Sequence, residues 1–160
     1  MERIWYRIES LIVYLWVSQT KYKIHSPFLF DIVTKVFEKK NKPESADKIE
    51  AIRQQLLQNE TIIEVEDFGA GSKSMNSNQR KISQITRVSI KKKKYAHLIY
   101  HLIKYFNYKN ILELGTSLGI TTSYIASVNN DIKVTTIEGS KSIAEIAQQN
   151  FNQLQLNNIE

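Results

Sequence analysis

Ile111–Leu114, a short apolar run, ends in the turn Gly115-Thr116-Ser117-Leu118-Gly119, and a helical stretch follows over Ile120–Val128. A second short run, Lys133–Ile137, leads into a second helical stretch over Ser140–Leu156. Strand, helix, strand and helix in this order predict parallel strands joined by a right-handed crossover, so the fold class is α/β. The same pattern locates a site. Gly115 lets the chain turn tightly and approach a ligand with no Cβ in the way. The helix start after Gly119 leaves N–H groups free for polar or anionic ligand atoms. Glu138 ends the second strand about 20 residues further on, where a nucleotide-binding βαβ unit places a carboxylate on the ribose hydroxyls. The dinucleotide spacing G-x-G-x-x-G is absent, because Gly115 to Gly119 reads G-x-x-x-G, and this disfavours NAD or FAD.

Residues 1–60 read as a helical N-terminal extension. Ile4, Ile8, Leu11, Ile12, Leu15 and Trp16 recur at helical spacing, with Arg3, Arg7 and Ser10 on the other side. Trp5, Tyr6, Tyr14 and Trp16 make this helix bulky all round. It is expected to pack on a domain, the alternative being a membrane-surface or partner-binding helix. Ser26 before Pro27 is an N-cap signal for a second helix through Phe28, Ile32, Val33, Val36 and Phe37. A third helix is expected from Ser45 or Asp47 through Ile49, Ile52 and Leu56. Residues 61–94 read as a β-like stretch, Thr61–Phe68, a glycine turn at Asp67–Ser72, and a polar, basic loop with a short helix that serves as a linker. Residues 95–160 start a ligand-binding domain, opening with a helix marked by Ala96, Leu98, Ile99, Leu102, Ile103 and Phe106.

Composition narrows the function. Of the 160 residues, 42% are hydrophobic and 24% charged, the balance of a globular chain with a core. Cysteine is absent, which excludes disulfide scaffolds, thiolate zinc sites and cysteine nucleophiles. The net charge of +6 favours anionic partners, but Lys91–Lys94 supplies most of it, so a distributed nucleic-acid face is not indicated. Lysines opposing the dipole of a helix start hint at a role of their own, although a solvated charge run is the commoner case. His97 and His101 stand one helical turn apart without an accompanying metal pattern, and His25 precedes Ser-Pro-Phe; packed or capping roles are expected, and no metal. The turn at Asp67–Ser72 with Lys73 and Arg80 nearby is an ordinary turn or an anion-binding loop. No apolar run reaches the roughly 20 residues of a membrane span, and no secretory signal is expected, so the chain reads as cytoplasmic.

Glu113-x-Gly115-x-x-x-Gly119 closing one strand, with Glu138 closing the next, resembles the first two motifs of class I S-adenosylmethionine-dependent methyltransferases. The segment ILELGTSLGITTSYIA followed by VTTIEG is most similar to the small-molecule O-methyltransferase branch. HSPFLFDIV and EDFGAGS are similar to a bacterial group of such proteins, of Bacteroidetes type. The resemblance implies a Rossmann-like methyltransferase fold with an incomplete parallel sheet, S-adenosylmethionine as cofactor, and methyl transfer to an oxygen of a small-molecule acceptor. It implies Glu113 near the methionine amino group. Gly115, Thr116, Ser117 and Gly119 would lie under the methionine and ribose, Glu138 on the ribose hydroxyls, and Gly139 and Ser140 beside the adenosine. No catalytic base emerges. The family has a larger sheet, and this chain stops at Asn157–Glu160, where a third core strand is due, so it reads as an N-terminal portion expected to be inactive alone. The rival reading is a non-catalytic module that binds a polyanion, membrane or protein through the aromatic helix or the lysine run.

Overall fold

The structure, a computed structural model, describes residues 2–18, 20–39, 41–66 and 78–160. It divides into two units, Met1–Lys39 and Lys40–Glu160.

In the first unit, α1 spans Glu2–Val17, a short 3-10 turn follows at Lys21–Lys23, and α2 runs over Pro27–Ile32 before widening into a π turn at Val33–Phe37. Ser26 caps α2 as its position predicts: its Oγ accepts from the Leu29 N–H at 3.4 Å, and Pro27 occupies the first turn. Lys21 pairs with Glu38 at 2.6 Å. The side chains of α1 from Ile4 to Val17 are exposed, Trp16 at 93%.

The second unit opens with α3, Ala46–Gln58, then a short antiparallel pair of β1, Ile62–Glu64, and β2, Gln79–Lys81. Next come α4, Ile82–Ser89, and α5, Lys93–Phe106. The unit then alternates as predicted: β3, Asn110–Leu114; α6, Ile120–Ala126; β4, Lys133–Ile137; and α7, Lys141–Gln153. β3 and β4 pair in parallel, in register from Asn110 opposite Lys133 to Leu114 opposite Ile137. The expected third strand begins on the far side of β4. Ile159 bridges Val134 in parallel, the Val134 N–H donates to Asn158 at 2.9 Å, and the Glu160 N–H donates to Val134 at 2.8 Å.

Two apolar clusters hold this unit. One joins Ile49, Ile52 and Leu56 of α3 to Ile82 and Ile85 of α4 and Tyr124 of α6. The other sets Ile103 of α5 and Ile125 of α6 against Val134 of β4. The segment expected to be loop and linker therefore contributes to the core. Ile82 and Ile85 lie one turn apart and face α3, and burial of that narrow stripe holds α4 in place. On α5 the expected Ala96 and Ile103 are buried, joined by Tyr100 and His101, whereas Leu98, Ile99 and Leu102 are half-buried. The Asp67–Ser72 turn and Lys73 lie outside the described residues.

Candidate functional site

The loop after β3 turns through left-handed backbone at Gly115 (φ 88°), Ser117 (φ 50°) and Gly119 (φ 77°). It is tied to the end of β4, because the N–H groups of Gly115 and Thr116 both donate to the Ile137 carbonyl, at 2.9 and 3.2 Å. The two glycines serve different ends. A Cβ on Gly119 would stand 2.5 Å from Cε1 of Phe151, so this glycine is what lets α7 approach the loop. A Cβ on Gly115 would meet nothing within 4 Å, so open space stands in front of its backbone.

Glu138 crosses back to the loop. One carboxylate oxygen accepts from the Ser117 N–H at 2.8 Å and the other from the Ser140 N–H at 3.1 Å, which joins the glycine loop to the start of α7. Ser140 is buried and Gly139 exposed. Glu113, half-buried, sits opposite Thr136 in the parallel register. Its Oε2 accepts from the hydroxyls of Thr122 and of Thr136, the latter at 3.0 Å, and Thr136 in turn shares a 2.7 Å contact with the Thr116 hydroxyl. Burial pushes the Glu113 carboxyl above the usual glutamate range, opposed by the two threonine hydroxyls and the positive charge of Lys91. Thr122 and Thr136 were not read from the sequence as site residues. A signal was present in the paired threonines Thr121-Thr122 near the start of α6 and Thr135-Thr136 near the end of β4.

An open cleft of about 540 Å³ is lined by residues of β3, α5 and α6 and by the loop. Glu113, Thr116, Ser117, Thr121, Ser89 and Lys91 supply polar side chains to its lining, beside the Gly115 backbone. A second hollow, of about 310 Å³, lies beyond the loop and is lined by Thr116, Ile137, Glu138 and Phe151 among others. Thr116 belongs to both. The structure thus brings Glu113, Gly115, Thr116 and Ser117 to one cleft and Glu138 to the adjoining hollow, while Gly119, Gly139 and Ser140 line neither. The Ser117 hydroxyl is buried and has no hydrogen-bond partner among the described residues.

The histidines sit elsewhere. His97 meets the Tyr124 hydroxyl at 3.3 Å, with its imidazole held below the usual range chiefly by burial, and His101 contacts the Asn41 carbonyl at 2.8 Å. Among the described residues no group of three histidine, aspartate or glutamate side chains is placed to hold a metal, and no helix is long and apolar enough to cross a membrane. Lys91 to Lys94 are exposed, and the Lys94 ammonium stands 4.8 Å from the centre of the Tyr95 ring.

No protein-family model and no curated protein sequence matches the chain. Solved structures do. A protein from Staphylococcus aureus, provisionally described as a caffeoyl-CoA O-methyltransferase, superposes with a TM-score of 0.50 at 25% identity over 83% of this chain and 47% of its own. The cofactor-bound protein Rv0187 from MTB superposes with a TM-score of 0.50 at 15% identity, over 76% of this chain and 51% of its own. The chain therefore spans about half the length of the solved structures it matches. Together with the parallel β3–β4 pair and its glycine loop, the first of these similarities establishes the fold as the Rossmann-like fold of methyltransferases, with a helical N-terminal extension.

Proposed function

We propose that this chain carries the cofactor-binding half of an S-adenosylmethionine-dependent methyltransferase that acts at an oxygen of a small-molecule acceptor. The observation that carries this is the loop at Gly115, which has open space in front of a left-handed glycine, Glu113 in the same cleft and Glu138 in the next hollow. The residues present fit an adenosyl amino acid. Such a ligand is long and polar at both ends, and the cleft and the hollow meet at Thr116. The buried Ser117 hydroxyl, which has no partner among the described residues, is a group that a ligand would satisfy. Glu113 would accept from the ammonium, Gly115 and Ser117 would underlie the chain of the ligand, and Glu138 would accept from the ribose hydroxyls, with Gly139 and Ser140 flanking the adenosine.

When bound, the sulfonium supplies an electrophilic methyl group. The part of the chain is to hold the ligand and its acceptor in line and to keep water away, which is where most of the rate of such a displacement arises. The similarity to a described O-methyltransferase supports the oxygen acceptor.

Calorimetric titration of S-adenosylhomocysteine into the chain, with Glu138→Ala beside it, tests the proposal. Saturable binding that the substitution weakens about ten-fold, roughly 1.4 kcal/mol, supports it. Absence of binding by a chain whose circular dichroism and melting show it folded overturns it.

A further inference from the structure

Ser140 and Ser142 stand at the start of α7, and neither lines the cleft or the adjoining hollow. Their hydroxyls turn to the end of β1 instead. The Glu66 N–H donates to Ser140 Oγ at 3.4 Å, the two serine oxygens are 3.1 Å apart, and Ser142 Oγ donates to the Glu64 carbonyl. A hydroxyl has one hydrogen to give. That of Ser142 goes to Glu64, so Ser140 is the donor between the two serines. The order is then fixed, from the Glu66 N–H to Ser140, on to Ser142, and back to the Glu64 carbonyl. It begins and ends on the backbone of one three-residue segment.

Val65, the residue between, is buried in the apolar cluster that also holds Leu118 of the glycine loop and Ile143 of α7. Its N–H donates to the Asn78 carbonyl at 2.8 Å, which carries the β1–β2 pairing one residue past Glu64. Ser140 passes the connection onward. Its own N–H donates to one carboxylate oxygen of Glu138 at 3.1 Å, and the other oxygen accepts from the Ser117 N–H at 2.8 Å. The antiparallel hairpin thus reaches the glycine loop through α7 and Glu138.

A side chain that binds a ligand is held in its productive geometry by the hydrogen bonds of the residues behind it. We propose that the end of β1 positions Glu138 for its ligand, with Ser142 as the positioning residue that acts through Ser140. The nature of the ligand rests on the cofactor assignment above, whereas the placement of Glu138 belongs to the chain itself. The segment read from the sequence as the beginning of a linker becomes a support of the site.

Two measurements on the full chain test this. In amide hydrogen exchange followed by NMR, Ser142→Ala is expected to speed exchange of the Ser117 N–H about five-fold, the size of one neutral hydrogen bond. The Ser123 N–H donates to the Gly119 carbonyl at 2.9 Å rather than to Glu138, and should be unchanged. In calorimetry, Ser142→Ala should weaken S-adenosylhomocysteine about five-fold and should weaken it no further when Glu138→Ala is already present. Ser142→Thr keeps the hydroxyl and should restore both readouts. Unchanged exchange at Ser117, equal acceleration at Ser117 and Ser123, or equal weakening with and without Glu138 overturns the proposal. If the unsubstituted chain binds no S-adenosylhomocysteine, the cofactor assignment falls and the exchange comparison alone decides whether Ser142 positions Glu138.

Discussion

Gly115 and Gly119 share a left-handed backbone, and their surroundings separate what substitution would do. Alanine at Gly119 places a methyl carbon 2.5 Å from Phe151, against a ring packed in the core, so strain adds to the conformational cost. Gly119→Ala should lower stability by about 2–4 kcal/mol in urea denaturation. Gly115→Ala meets no atom, so only the backbone cost of about 1–2 kcal/mol applies. Its larger effect should be on S-adenosylhomocysteine affinity, because the methyl group enters the space proposed for the ligand. Glu113 allows a sign to be worked out for pH. Its folded carboxyl titrates above the unfolded one, so between those two values the folded state binds more protons. Its contribution to stability is therefore fully present at pH below the ordinary glutamate range and is lost as pH rises through the elevated value. Glu113→Gln keeps an acceptor for Thr122 and Thr136 and should flatten that decline when urea midpoints are followed against pH.

At the scale of elements, α4 shows how little apolar surface holds a helix in place. Ile82 and Ile85 are buried, while Val88 on the same helix is 63% exposed. Ile85→Ala should cost about 2–4 kcal/mol by leaving a cavity between α3 and α4, and Val88→Ala about 0.5 kcal/mol or less, both read from urea midpoints. The periodicity of β3, α6, β4 and α7 was legible because each element carries its own signal: short apolar runs for the strands, glycine where the chain turns, and a regular stripe on the helices. The packed role of α4 was not. Its two buried isoleucines are flanked by Arg80, Lys81 and Arg87, and locally that reads as a polar loop. For α1 the stripe was legible as a helix, but its burial depends on a neighbour that periodicity does not specify.

Across the Lys40–Glu160 unit, the parallel pair is covered unevenly. Leu112, Leu114 and Ile137 are 64%, 76% and 55% exposed, although parallel strands are ordinarily covered on both faces. Apolar surface of this kind should bind a hydrophobic dye and favour self-association despite the net charge of +6. Leu112→Ser with Leu114→Ser should reduce dye fluorescence and light scattering while moving stability by about 1 kcal/mol or less, since exposed positions contribute little. An unchanged dye signal would place the apolar surface elsewhere on the chain.

The order β3, α6, β4 and α7, the parallel sense of β3 and β4, the glycine loop and the acid that ends β4 were determined by the sequence alone, because turn residues and apolar spacing act over a few neighbouring positions; the antiparallel strand β2 was not. Tertiary structure decided which side chains meet. It put Thr122 and Thr136 on Glu113, set Phe151 against Gly119, buried Ile82 and Ile85 of α4 and placed Lys91 in the lining of the cleft. Most of these contacts join residues far apart along the chain, and even the nearer ones depend on how strand and helix pack. Their energy comes from burial and hydrogen bonding that exist only once the elements have packed, and no local pattern of residues encodes them.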